Sequence, residues 1–162
     1  MERSHEPPPS LPAWYGVRYP TLENLEAFGW DLGASVVYGR ISNGIYFPSN
    51  DDYGIPAILA IPDHSSPLAK IWSLSHELGH LVLHLGYTSP WTRAKQETHA
   101  DRWAACALIP RARILEHGNA SLDSSIGALS AHYEDLPLEN RQVRRLAGKI
   151  AHMRLRALKE VA

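Results

Sequence analysis

The sequence predicts a small α+β domain in which a short antiparallel sheet is followed by helices, and three observations lead to that prediction. The chain has 162 residues, 44% of them hydrophobic and 20% charged, which is enough apolar side chain to form the core of one domain. Residues 34–61 contain three short runs rich in β-branched and aromatic residues, separated by turn-forming residues. From residue 68 onward the apolar residues recur instead with the 3.6-residue period of a helix.

Residues 1–20 are predicted to form an extended arm, because four of the first twelve residues are prolines. The arm has no apolar core of the kind that a signal peptide carries. A first helix follows, with Thr21 as its N-cap and with Leu25 and Phe28 on its apolar face. The glycines at 29 and 33 are expected to end it.

Three strands are predicted next, over residues 34–41, 45–47 and 57–61. The dipeptide Asn43-Gly44 between the first two predicts a tight hairpin, because both residues tolerate positive φ. The third strand follows a second turn and is bounded by two prolines. The sequence therefore predicts an antiparallel meander in which each strand pairs with the next.

Residues 68–85 form the predicted central helix, because apolar residues cover much of its circumference. Its leucines make one stripe along the axis and its histidines make another: Leu74, Leu78, Leu81 and Leu85, and His76, His80 and His84. A second helix is predicted from residue 93 to 109, where Pro110 ends it. Residues 111–162 are predicted to be a helical C-terminal segment of the same domain.

Composition and charge exclude several functional classes. Sixteen lysines and arginines against seventeen aspartates and glutamates leave a formal charge of −1, so no global field attracts nucleic acid or an anionic membrane. The single cysteine, Cys106, excludes an intramolecular disulfide scaffold and cysteine-based zinc fingers. No apolar run reaches the roughly 18 residues of a membrane helix, and the sequence predicts a cytoplasmic protein. Nine histidines, five of them between residues 64 and 99, are the informative feature.

Two of these histidines belong to the pattern His76-Glu77-Leu78-Gly79-His80. Residues four apart lie on one face of a helix, so both imidazoles can bind the same ion. Zinc lowers the pKa of a bound water to about 7, and Glu77 is close enough to take that proton. The alternative is a surface helix with two unrelated histidines. However, Gly79 costs about 1 kcal/mol relative to alanine inside a helix, which a close packing partner would explain.

A catalytic zinc site needs a third protein ligand and an open position. The extended pattern with a third histidine six residues after the second fails here, because position 86 is glycine. Glu97 and Asp101 lie four residues apart on the next predicted helix and therefore share one of its faces. The sequence predicts Glu97 as the third ligand and Asp101 as the acceptor that orients a ligating histidine. The alternative for both carboxylates is a solvated acidic face.

Two other histidines compete with Glu97 for the third position. His84 is two turns from His76 on the same helix, about 12 Å along the axis, so it cannot readily reach an ion between His76 and His80. His99 is two residues from Glu97, about 200° around the helix, so both cannot face one site. The spacing therefore favours Glu97.

Two runs of sequence together resemble the ImmA/IrrE family of metallo-endopeptidases. The first, from Trp72 to His84, reads Trp-Ser-Leu-Ser-His-Glu-Leu-Gly-His-Leu-Val-Leu-His, and the second, from Glu97 to Pro110, reads Glu-x-x-Ala-Asp-x-Trp-Ala-Ala-x-x-Leu-Ile-Pro. The resemblance covers about residues 20–150 and is tight over residues 70–110. It implies a small zincin-like (gluzincin) fold with a short antiparallel sheet over an active-site helix and a helical C-terminal segment.

The resemblance also implies an activity and a domain organisation. His76, His80 and Glu97 would bind Zn²⁺, with Mn²⁺ or another divalent ion as the alternative in the cell, and Glu77 would be the catalytic base. Residues 21–110 would form the metallopeptidase core, between the arm and the segment 111–162. Family members cleave helix-turn-helix repressors encoded with them in mobile elements or stress-response operons, which implies such a repressor as the substrate. With no sensor domain after residue 162, the sequence resembles the short, phage- or element-type members.

The mechanism of such metallopeptidases calls for a Tyr or His that donates a hydrogen bond to the oxyanion formed when water attacks the peptide carbonyl. The sequence does not identify this residue. Six tyrosines and histidines are candidates: Tyr46, Tyr53, Tyr87, Tyr133, His64 and His99.

The C-terminal residues 137–162 support a second hypothesis. Seven basic residues against two acidic ones give this segment a local charge of +5. A basic helix can bind nucleic acid or an acidic partner, although it can also be a solvated face. The chain could therefore be a non-catalytic regulator that binds DNA or a repressor through this segment and keeps the metal for structure.

Overall fold

The structure, a computed structural model, describes most of the chain, namely residues 11–64, 66–83, 92–110, 126, 128–129, 131–133 and 141–161, the last range without the side chains of residues 142, 143 and 158–161. Its elements are α1 (Leu22–Asp31), β1 (Ala34–Gly39), β2 (Ile45–Phe47), a 3₁₀ turn (Asp51–Tyr53), β3 (Ala57–Pro62), α2 (Pro67–Val82), α3 (Arg93–Leu108) and α4 (Arg141–Val161). The predicted α+β class is confirmed. Within these ranges, no helix is both long and apolar enough to cross a membrane.

The sheet is mixed, so the predicted antiparallel meander is wrong. Its strand order is β1-β3-β2, and β3 in the middle is parallel to β1 and antiparallel to β2. Asn43-Gly44 therefore does not form a hairpin between two paired strands. Instead, residues 40–44 carry the chain from one edge of the sheet to the other, and the φ of Gly44 is not positive.

Burial explains why β3 rather than β2 occupies the centre of the sheet. β3 is an apolar run whose Leu59 and Ile61 are fully buried, whereas Ile45 and Phe47 of β2 are exposed. A central strand has both edges paired and one face against the helices, so the most apolar strand gains most there. This choice leaves β2 as an edge strand.

The helix boundaries follow local capping signals. The Thr21 hydroxyl accepts a hydrogen bond from the Asn24 N–H, and the Asn24 side chain accepts one from the Thr21 N–H, which confirms the predicted start of α1. α1 continues through Gly29 and ends at Asp31, before Gly33 with its positive φ of 82°. Ser66 caps α2 with its hydroxyl, which accepts a hydrogen bond from the Ala69 N–H, and Pro67 occupies the first turn.

Gly79 is a point of close approach between α2 and α3. A Cβ atom on Gly79 would lie 2.9 Å from the Ala100 carbonyl oxygen and 3.0 Å from its Cα, which is too close for any side chain. The close packing partner expected for Gly79 is therefore the backbone of α3. This approach brings the faces that carry the candidate ligands within hydrogen-bond distance of each other.

α4 packs against α3 and α2 through Ala147, Ile150 and Ala151, which are fully buried. Arg154 is only 7% exposed, and its Nε donates a hydrogen bond of 2.7 Å to the carbonyl oxygen of Ile109 at the end of α3. One basic residue of the C-terminal segment is thus part of the core. The division into arm, metallopeptidase core and C-terminal segment stays a prediction, since residues 1–10, 111–125 and 134–140 lie outside the described ranges.

Candidate metal centre

The motif on α2 presents His76 and His80 on one face of the helix, as its spacing predicts. The two Nε2 atoms lie 3.1 Å apart. Both side chains are largely buried, and the parallel ring of Tyr46 on β2 lies beside His80 with ring centroids 6.3 Å apart. Both imidazoles therefore lie mostly out of solvent on one face of α2.

Glu97 of α3 completes a cluster of three potential ligands with these histidines. Its two carboxylate oxygens lie 3.0 Å from Nε2 of His76 and 3.3 Å from Nε2 of His80. Ligand atoms about 2.0 Å from a tetrahedral zinc ion are separated from each other by about 3.3 Å. The three side chains therefore fit a divalent ion between them, and the donor set of two histidines and a glutamate is one that catalytic zinc sites use.

Asp101 orients the first of these histidines. Nδ1 of His76 donates a hydrogen bond of 2.8 Å to Oδ1 of Asp101, one turn along α3 from Glu97. With its proton on Nδ1, the neutral ring of His76 has a lone pair on Nε2, which points toward His80 and Glu97. A metal-ligating histidine has this same arrangement with a carboxylate behind it.

The electrostatics of the cluster favour a cation. Burial disfavours the charged form of His76, but the hydrogen bond to Asp101 and the nearby carboxylates outweigh it and raise the pKa of His76. Burial and the neighbouring His76 lower the pKa of His80. A divalent ion competes with protons for the same lone pairs, so the carboxylates that favour a proton on His76 also favour a metal.

Glu77 follows His76 in the motif, lies near enough to His76 and Glu97 for their charges to act on it, and is only 5% exposed. Burial, together with the negative charge of Glu97, raises its pKa to about 7, although His76 opposes the shift. A carboxylate with a pKa near neutrality can both take and return a proton at physiological pH.

Gly44 covers this carboxylate and is a site residue that the sequence did not predict. A Cβ atom on Gly44 would lie 2.6 Å from Oε1 of Glu77 and 3.1 Å from its Cγ and Cδ. The sequence predicts this glycine only as a turn residue that tolerates positive φ. The structure shows a different physical reason, namely that the backbone before β2 lies against the Glu77 carboxylate, so a side chain at position 44 would have to displace it.

We expect Gly44→Ala to lower kcat about 10-fold to 100-fold while the protein keeps its metal. The added methyl group would displace the Glu77 carboxylate, and small misplacements of a reacting group have effects of this size. The measurement is steady-state kinetics on a cleaved peptide, together with the metal content of the purified variant.

Gly39→Ala is the matched control, because nothing lies within 4 Å of a Cβ at that position and its φ is not positive. A second test shortens the side chain that carries the carboxylate. Glu77→Asp should be less damaging in the Gly44→Ala background than alone, because the two residues are in contact. Strictly additive effects, or equal losses in both glycine variants, would contradict the contact as the cause.

A cleft of about 1340 Å³ opens in front of the cluster. Of the six candidates for the oxyanion donor, Tyr46 and His64 line it, and Nε2 of His64 lies 3.0 Å from the Ser73 hydroxyl. Burial raises the pKa of Tyr46, so its phenol is protonated at neutral pH, as a hydrogen-bond donor must be.

Three other candidates for the oxyanion donor, Tyr53, Tyr133 and His99, do not line the cleft. The Tyr133 hydroxyl donates to the Pro20 carbonyl oxygen at 2.8 Å, and Tyr53 is 79% exposed away from the cleft. His99 is half-buried outside the cleft. Tyr87 lies outside the described residues. His84 does too, so the exclusion of His84 as a metal ligand stays a prediction.

Comparison with known proteins finds a family match that contains this site. A family model described as the IrrE N-terminal-like domain, which is a peptidase family, matches residues 32–134, more than half of the chain. The matched range begins before β1 and contains α2 and α3 with both parts of the cluster. No curated protein and no solved structure gives a significant match.

Proposed function

Because the chain belongs to the peptidase family of the IrrE N-terminal-like domain, we propose that it is a zinc-dependent endopeptidase of the ImmA/IrrE kind that cleaves a helix-turn-helix repressor in the cytoplasm. The observation that carries the proposal is the cluster of His76, His80 and Glu97 beside the buried carboxylate of Glu77. A purely structural metal site would not need a proton acceptor at that position.

His76, His80 and Glu97 would hold the ion, and Asp101 would keep His76 in the tautomer that leaves Nε2 free. A divalent ion supplies Lewis-acid activation of water and of the scissile carbonyl. Glu77, buried next to the ligands, would take the proton of the attacking water and then deliver it to the leaving amine. The Gly44 backbone lies against the Glu77 carboxylate.

We expect the purified protein to contain one divalent ion per chain, with zinc as the predominant metal. Elemental analysis before and after treatment with a chelator measures the content and its reversibility. A well-folded sample that binds less than about a tenth of an equivalent of any transition metal, even after zinc is added, would contradict the proposed site.

The zinc-loaded protein is expected to cut the helix-turn-helix repressor encoded nearest to its own gene at one peptide bond. Intact-mass spectrometry would show two fragments whose masses sum to that of the repressor plus one water. A repressor that binds the protein tightly but stays intact would favour the alternative of a non-catalytic regulator.

The structure offers less support for that alternative than the charge of the C-terminal segment suggests. Two of its seven basic residues already have roles within the domain. Arg154 is buried against Ile109, and Lys149 Nζ lies 5.4 Å from the centre of the Trp72 ring beside the candidate metal centre. We therefore favour the endopeptidase over a protein that binds nucleic acid through α4.

A further inference from the structure

The charged residues that line the cleft are divided by sign. Its carboxylates, those of Glu77, Glu97 and Asp101, all belong to the candidate metal centre. The remaining charged residues of the described lining are Arg40, Arg93 and Lys149, here named the cationic rim. Outside the metal centre, the described walls of the cleft therefore carry positive charge only.

The cationic rim comes from three separate parts of the chain, since Arg40 follows β1, Arg93 begins α3 and Lys149 lies on α4. All three side chains are exposed. Within the described residues, neither Arg40 nor Arg93 has a carboxylate partner, and Lys149 contacts an aromatic ring instead. Lys70, near the same end of β1, is by contrast paired with Asp63 at 3.4 Å. The rim thus has unneutralised charge available for a ligand.

Helix geometry places the rim on both sides of the metal centre. Arg93 precedes Glu97 by four residues, and Trp72, over which Lys149 lies, precedes His76 by four. Arg93 and Trp72 are therefore each about 6 Å, or roughly one turn, from a candidate ligand along their helix axes. α2 and α3 run antiparallel, since His76 lies beside Asp101 and His80 beside Glu97. The turn of α2 that carries Trp72 and the turn of α3 that carries Arg93 therefore lie on opposite sides of the metal centre.

Arg40 lies at the same end of the cleft as Lys149. The Asp63 N–H donates a hydrogen bond of 3.0 Å to the Gly39 carbonyl oxygen, which holds the end of β1 at the end of β3. The next residue, His64, contacts Ser73 in the first half of α2. Two cations therefore flank one side of the metal centre and one cation flanks the other.

We propose that the cationic rim binds acidic side chains of the substrate on both sides of the scissile bond, so that the substrate class is a peptide segment rich in Asp and Glu. A strand rises about 3.3 Å per residue, so one turn along α2 or α3 corresponds to about two residues of an extended substrate. The side that faces Arg40 and Lys149 has the stronger requirement. This inference rests on the proposed endopeptidase function and specifies its substrate.

The first test measures binding without turnover. The probes are fluorescent dodecapeptides of equal length and apolar content that carry Glu, Ser or Lys at matched positions, and the protein is zinc-loaded Glu77→Gln. Fluorescence anisotropy at low ionic strength should show the Glu peptide binding about 10-fold more tightly than the Ser peptide, with the Lys peptide weaker still. Added salt should reduce the difference, because exposed charges are screened within about 10 Å at 0.1 M.

Charge-reversal variants then locate the effect. The preference for the Glu peptide should fall in each of three variants, Arg40→Glu, Arg93→Glu and Lys149→Glu. Lys149→Gln removes the positive charge without introducing a negative one, so it separates the loss of charge from its reversal. Lys95→Glu is the matched control, since Lys95 is exposed on α3 but does not line the cleft. Circular dichroism and zinc content confirm that each variant is folded.

The outcomes separate this inference from the proposed function. Three results would overturn the proposal that the cationic rim binds acidic side chains. They are equal affinity for the three peptides, no measurable binding of any of them, and an equal loss of the Glu-peptide preference in Lys95→Glu. Tighter binding of a short DNA duplex through the same three residues would also overturn it. A quenched-peptide library tests turnover separately with the wild-type protein. Cleavage without preference for acidic residues contradicts only the rim, and a Glu preference in binding without any cleavage contradicts only the endopeptidase.

Discussion

Glu77→Gln is expected to abolish peptide cleavage while the fold and the bound metal stay unchanged. Glutamine has nearly the same shape, so it fits beneath Gly44, but its amide cannot take a proton from water. Glu77 is buried, so a carboxylate from the solution cannot readily reach its position and act as the base. General-base catalysis contributes about 10²-fold to 10⁴-fold, so kcat should fall by at least that factor.

The measurement is kcat/KM on the repressor or on a cleaved peptide, with elemental analysis of the same preparation. Glu23→Gln on the exposed first turn of α1 is the control for loss of one carboxylate, and it should behave like the wild type. Cleavage by Glu77→Gln near the wild-type rate would show that another group is the base. Loss of metal along with activity would show that Glu77 holds the site together instead.

Glu97→Ala is expected to weaken zinc binding by at least about 100-fold, whereas Asp101→Ala should weaken it by about 10-fold to 100-fold. Glu97 places one oxygen near each histidine, so its removal takes a ligand from the ion. Asp101 acts only through His76, whose ring it orients. Equilibrium competition against a zinc chelator of known affinity measures both effects.

His99→Ala and His84→Ala are the controls for this assignment, and both should retain the ion. His99 lies on the same helix as Glu97 but is not part of the cluster that the structure brings together. Glu97 is 48% exposed, so the loss of its side chain should affect the fold little, and thermal unfolding of the metal-free protein can verify this. Full affinity in Glu97→Ala with loss in either histidine variant would overturn Glu97 as the third ligand.

Local features of the sequence predicted the helices and the spacing of the motif. α2 and α3 begin and end within a few residues of the predicted bounds, because capping residues and prolines act on the backbone next to them. The 3.6-residue period places His76 and His80 on one face of α2. It likewise places Glu97 and Asp101 on one face of α3, independently of how the two helices pack. Gly79 even indicated a close neighbour, although not which one.

The tertiary structure decided what depends on contacts between distant segments. The apolar run of β3 is visible in the sequence, but the turn signal at Asn43-Gly44 favoured pairing β1 with β2, and only the packed sheet shows β3 between them. That strand order sends residues 40–44 across the sheet and places Gly44 on Glu77 and Arg40 at the cleft. Packing of α4 likewise assigned Arg154 to the core and Lys149 to the cleft, although both belong to one basic segment. Periodicity specifies which residues share a face of one element, but only the packing of the elements determines what that face meets.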